Sequence, residues 1–203
     1  MEQNTTTLIQ DAKTNGMSYG TYRDLVDQMA AEGKSTGPNQ TEALTNYTQL
    51  NSKRMKRWDK KIKIEEALAA KIAGIKKPIT WLVLTESWCG DASPSLPVMQ
   101  KIAELNPNLT LKVVLRDENL DLMNQFLTNN AMSIPKLIAV DDETESVIGE
   151  WGPRPSIATK MVVDYKAEHG RLTPEFKQDL QVWYNKNKGQ NILEDLVELL
   201  PLK

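Results

Sequence analysis

The stretch Ile79-Thr80-Trp81-Leu82-Val83-Leu84-Thr85 runs straight into Glu86-Ser87-Trp88-Cys89-Gly90-Asp91-Ala92-Ser93-Pro94. Its first seven residues form a short, nearly continuous apolar run, the pattern of a strand buried on both faces. Ser93-Pro94 then opens a helix to about Leu105, because proline is tolerated in a first helical turn. Cys89 therefore stands where a strand hands over to a helix. Unpaired backbone N–H groups and the positive end of the helix dipole collect at such a junction. Both favour thiolate, the nucleophilic form of the side chain.

Downstream, Asn106-Pro107-Asn108 is a turn, and Leu109 to Leu115 reads as a second buried strand. Asn119 to Asn129 is expected to be helical, with Leu120, Met123 and Leu127 on one face. Lys136 to Val140 and Ser146 to Trp151 read as two strands of a hairpin, joined by the polar turn Asp141-Asp142-Glu143-Thr144. A helix over about 155–169 stops at Gly170. Helices over 174–187 and 191–200 close the chain. Strand, helix, strand, helix, strand, strand, helix is the order of a compact α/β sandwich.

Upstream, residues 1–17 read as a loose, flexible leader. Residues 18–32 suit a helix ended by Gly33, and a second helical stretch covers about 41–51. A third is expected over 53–75, with Met55, Trp58, Ile62, Leu68, Ile72 and Ile75 forming an apolar stripe. The chain thus divides into a leader (1–17), an N-terminal helical extension (18–78), a central α/β domain (79–170) and C-terminal helices packing on it (171–203).

The 203 residues are enough for one core, and 40% are hydrophobic. The net charge of −2 provides no global field for nucleic acid or an anionic membrane. One cysteine excludes a disulfide framework, a multi-cysteine zinc site and an intramolecular disulfide cycle. The polar start, without a basic, apolar leader, and the lack of a long apolar run point to a cytoplasmic protein with no membrane partner. The sequence suggests no metal site.

Trp88-Cys89-Gly90-Asp91-Ala92 after the first strand, Ile134-Pro135 before the third, and Trp151-Gly152-Pro153-Arg154-Pro155 before the next helix resemble the thioredoxin superfamily. The resemblance spans about residues 79–169. It is nearest to a thioredoxin-like branch with an N-terminal helical extension and a single-cysteine motif. It implies a three-layer sandwich, a central mixed sheet flanked by helices. It also implies that Cys89 is the attacking sulfur and that Pro135 is cis and lies against it. The backbone of Ile134 would then pair with an extended peptide or a glutathione-like ligand. Trp88, Gly90, Asp91 and Ala92 would complete the binding surface, and Arg154 would approach the cysteine to hold a carboxylate or stabilise thiolate.

The sequence departs from the pattern at three places. Ala92 stands where a second, resolving cysteine would be. Val83 stands where many thioredoxins carry a buried carboxylate, leaving Glu86 or Asp91 as the proton relay. Asp91 also places a negative charge beside the sulfur, which opposes the helix effect.

Two further patterns lie outside that motif. Lys53, Arg54, Lys56, Arg57, Lys60, Lys61 and Lys63 put seven cations in 11 residues, against Asp59. That run suits a solvated helix face or an anionic partner; without aromatic interleaving it does not suggest nucleic acid. Residues 117–151 carry eight acids and one lysine, so the chain is electrically lopsided, and the two segments could pair within one molecule or equally between two. His169 sits at a helix end, away from the expected site.

These residues lead to two functional expectations. In the first, Cys89 exchanges with the disulfide of a protein or small thiol, forming a mixed disulfide that an outside thiol resolves. No bound cofactor is implied, although a glutathione-like low-molecular-weight thiol would serve as co-substrate. In the second, the cleft between Cys89 and Pro135 binds a peptide or protein without turnover.

Overall fold

The computed structural model describes residues 4–202. Four strands form a mixed sheet in the order β2-β1-β3-β4. Strand β1 (Ile79–Thr85) is central, parallel to β2 (Leu109–Leu115) and antiparallel to β3 (Lys136–Asp141), which pairs antiparallel with β4 (Ser146–Trp151). All seven β1 residues are buried, so helices cover both faces. Each aliphatic side chain sealed there contributes about 1.5–3 kcal/mol. The fold is the expected thioredoxin-like sandwich.

Helix α1 (Thr5–Asn15) lies on β1 and β2, and α2 (Tyr19–Glu32) packs against α3 (Glu42–Lys61). After the short α4 (Glu66–Ala73) and β1 comes α5 (Ala92–Ala103), which packs on α3 and β2. Helix α6 (Leu120–Gln125) meets α1. Helix α7 (Ser156–His169) is followed by α8 (Pro174–Asn187) and α9 (Gln190–Val197); α9 contacts both α5 and α7. Among the described residues no helix is long and apolar enough to cross a membrane.

The N-terminal segment corrects the sequence reading. Residues 5–15 are helix rather than flexible leader; residues 1–3 lie outside the described part. Asn4 caps the helix by accepting from Thr6 N at 3.3 Å, and Ile9 and Ala12 are buried. Met17 then pairs with Val113 through two backbone hydrogen bonds of 2.8 and 2.9 Å, adding one rung outside β2. Two buried positions in an otherwise polar segment make a stripe too narrow to stand out in sequence.

The boundaries of the next helices also differ from expectation. Residues 42–61 are one continuous helix, and the chain is extended at Ile62 (φ −66°, ψ 131°) before α4. Ile62 and Ile64 still pack on the core, so a helical apolar spacing continues through a segment that is not helical. The helix expected over 119–129 ends at Gln125. Asn129 and Asn130 have φ of 51° and 59°, and Thr128 and Ala131 exchange two backbone hydrogen bonds across them. That is the hairpin turn in which both central residues need positive φ, a geometry asparagine tolerates.

A candidate binding cleft over Cys89

The loop from β1 to α5 is held from outside the sheet. Thr36 N donates to Ser87 Oγ at 2.9 Å, Ser87 N donates to Thr36 Oγ1 at 2.8 Å, and the hydroxyls of Thr48 and Ser87 are 2.8 Å apart. Asn51 Nδ2 donates to Ser87 O at 2.9 Å. Tyr22, entirely buried, donates to Glu86 O at 3.2 Å. The N-terminal extension therefore satisfies the polar groups of a loop that would otherwise be buried without partners.

Cys89 lies at the end of this clamp, 6% exposed. Its thiol donates to Ile134 O at 3.2 Å, and the Ile134–Pro135 bond is cis. The two loops implied by the motif therefore meet. Burial, reinforced by the Asp91 carboxylate, pushes the thiol up to about 12, against the backbone N–H groups of Ala92 and Asp91 and, most weakly, Arg154. The helix N-terminus acts in the expected direction, but desolvation outweighs it. At neutral pH Cys89 is a thiol.

The two carboxylates named as possible relays play different parts. Asp91 Oδ2 pairs with Arg154 at 2.7 Å, and its Oδ1 accepts from Tyr184 at 3.1 Å. Burial lifts its pKa above the ordinary carboxylate range, while Arg154 and Tyr184 hold it down. Glu86 turns away from the sulfur: its carboxylate accepts from Thr36 Oγ1 and from Asp117 N, the latter at 2.9 Å. Burial raises its pKa too. Glu86 thus ties the extension to the end of β2, and Asp91 is the carboxylate beside the thiol. Ala92 is buried in the first turn of α5, leaving no side chain to resolve a disulfide.

Around Cys89 opens a cleft of about 860 Å³. Its floor is the Trp88–Asp91 loop together with Ile134, and Pro153 and Arg154 border it. Tyr47, Leu50 and Arg54 of α3 and Lys177, Leu180 and Gln181 around α8 supply walls that the sheet alone would lack. Arg116 also lines it, with its guanidinium 5.1 Å from the Trp88 ring centre and paired to Asp117 at 2.7 Å. Gly152, at φ 118°, holds the chain so close that a Cβ there would stand 2.1 Å from Pro135 O.

Other sequence features fall elsewhere. His169 lies against Tyr165, ring centres 4.2 Å apart and planes tilted by 45°, and does not line the cleft. In the polar turn after β3, Asp141 is buried, accepts from Glu143 N and Thr144 N, and pairs with Lys77. Asp142 pairs with Lys13. These acids thus draw cations from α1 and the β1 approach rather than from the basic run of α3. Among the described residues no cluster of acids, histidine or cysteine is arranged to hold a metal ion. Sequence reading passed over Thr36, Thr48, Asn51 and Tyr184, whose partners are 36 to 93 positions away. It read Arg54 only as one cation of a basic run suited to a solvated face or an anionic partner, and did not place it at the cleft.

Residues 37–169 match the family described as Thioredoxin. The chain belongs to the thioredoxin family. Cys89 is the chain's one cysteine, and position 92 holds alanine. A protein of unknown function from Pseudomonas aeruginosa, PA1234, is similar in structure, with a TM-score of 0.57 and 21% identity over 74% of this chain and 83% of that one. An HIV epitope-scaffold is similar with a TM-score of 0.57 and 18% identity, covering 90% and 97%. Identities this low carry the fold and nothing of activity. No curated protein matches the chain.

Proposed function

We propose that this thioredoxin-family protein is a binding module whose cleft receives a ligand over Cys89 and Pro135. In this role Cys89 serves as a neutral thiol in the cleft floor. The observation that carries this reading is the recessed sulfur, 6% exposed and donating to Ile134 O, beneath a cleft walled by α3 and α8. A thiol at about 12 has on the order of a thousandfold less thiolate at pH 7 than an ordinary cysteine. Iodoacetamide should therefore modify folded protein at pH 7 about a thousand times more slowly than the denatured chain. Binding should survive Cys89→Ser. Rapid alkylation, or a glutathione adduct formed within minutes of adding oxidised glutathione, would overturn the reading.

A second reading, one-thiol exchange, draws on the N–H groups of Asp91 and Ala92 and on Arg154, which all favour a negative sulfur. Cys89 would lose its proton to solvent or Asp91, and the thiolate would attack a ligand disulfide. The Cys89–ligand S–S bond forms, the other ligand sulfur leaves as thiolate, and an outside thiol reduces the mixed disulfide. Cys89→Ser separates the two readings: it abolishes exchange and spares binding.

A further inference from the structure

The charges lining the cleft do not balance. Arg54, Arg116, Arg154 and Lys177 line it, and Asp91 is the acid among the lining residues. Both Asp91 oxygens are engaged, by Arg154 and Tyr184, and Arg116 is neutralised by Asp117 just outside. Arg54 on one wall and Lys177 on the other remain. Neither has a carboxylate within ion-pair distance among the described residues. Arg54 is half-buried, and burial, helped by nearby Arg57, pulls its pKa below the ordinary value against Tyr47 and, more weakly, Asp91. A partly desolvated guanidinium without a counter-ion is costly, and a bound anion relieves that cost.

The apolar part of the cleft is as distinctive. Tyr47, Leu50 and Met132 line it and are 40%, 41% and 44% exposed, large side chains left open to solvent on a concave surface. A volume of about 860 Å³ is in the range of small-molecule sites. Unpaired cations on two walls and exposed apolar side chains lining the same cleft describe one kind of occupant.

Given the reading of this cleft as a binding site, we propose that its ligand is a small organic anion with an apolar body. Its carboxylate or similar group meets Arg54 and Lys177. Its body lies on Tyr47, Leu50 and Met132, above Cys89. Asp91, locked to Arg154, keeps the floor beside the sulfur from attracting the anion, so the charged end is drawn to the walls.

The test compares two fluorescent probes with nearly the same apolar body on the full-length protein. One is the anion 8-anilinonaphthalene-1-sulfonate and the other the neutral N-phenyl-1-naphthylamine. The sulfonate should bind with one-to-one stoichiometry, about tenfold tighter than the neutral amine, and weaken as salt is raised. Lys177→Gln and Arg54→Gln should each weaken the sulfonate about fivefold and leave the amine within about twofold. Lys177 is exposed, so its variant keeps the test standing if Arg54→Gln does not fold. Equal binding of both probes, unchanged in the variants, would overturn the anion proposal and leave the binding-cleft reading intact. So would sulfonate binding at several sites regardless of the variants. Binding of neither probe would sink both readings.

Discussion

The sheet-centred part of the molecule, residues 79–169, and the helices on either side of it contribute to the same cleft in opposite ways. The sheet and its loops supply the chemical groups: Cys89 at the end of β1, the cis Pro135 loop before β3, and Arg154 after β4. The flanking helices decide what those groups can do. Helix α3 and the segment around Thr36 hold the cysteine loop by its backbone, α8 delivers Tyr184 to Asp91, and both raise walls over the sulfur. Under these helices the sulfur is recessed and protonated, although the N–H groups of Asp91 and Ala92 favour its charged form. The difference shows that a motif sets which atoms meet, and their surroundings set whether they are charged.

Four substitutions probe this division, beginning with the largest expected effect. Gly152→Ala lies wholly within the sheet-centred part and drives a Cβ into Pro135 O. It should cost roughly 4 kcal/mol in urea unfolding; a loss under 1 kcal/mol would mean that the Pro135 loop is not tightly held. Arg154→Leu strands the Asp91 carboxylate beside the thiol. A loss of about 3 kcal/mol at pH 7 is expected. That loss should shrink as pH falls, because a protonated Asp91 no longer needs the cation. A pH-independent loss would show that the ion pair is not the cause.

Asn51→Ala tests the flanking helices. The side chain is buried and bonds Ser87 O at 2.9 Å, so its removal should cost about 2 kcal/mol. It should also raise the iodoacetamide rate at Cys89; an unchanged rate would mean that the helices do not control the sulfur. The smallest effect is alkaline. The native thiol keeps its proton up to about 12, whereas the reference value is 9.0. Between these values the unfolded chain releases a proton that the native state retains, so rising pH favours unfolding. By pH 10 the wild type should have lost about 1 kcal/mol more than Cys89→Ser, measured from pH 8. Parallel curves would remove the case for a raised thiol pKa.

Much of the sheet-centred part was legible in the sequence because its signals are local. β1 and β2 announce themselves as apolar runs, and Trp88-Cys89-Gly90 and Ile134-Pro135 sit at strand ends, where a short window reveals them. The flanking helices were less legible. Helix α1 hides its two buried residues among polar ones, and Ile62 and Ile64 continue a helical spacing through an extended break. Glu86 and Asp91 look equivalent as acids near a cysteine, and only their partners separate a structural tie from a neighbour of the thiol.

The sequence by itself determined the order of strands and helices in the central domain, the identity of the one thiol, and the absence of a second cysteine. These follow from residue type, period and spacing along the chain. Tertiary structure alone decided that Cys89 is buried and protonated, that Asp91 belongs to Arg154 and Tyr184, and that Arg54 and Lys177 face a common cleft. The physical reason is that protonation and pairing depend on how much water is removed and which charges arrive. Both are set by residues that are distant in the chain and adjacent only in the folded molecule.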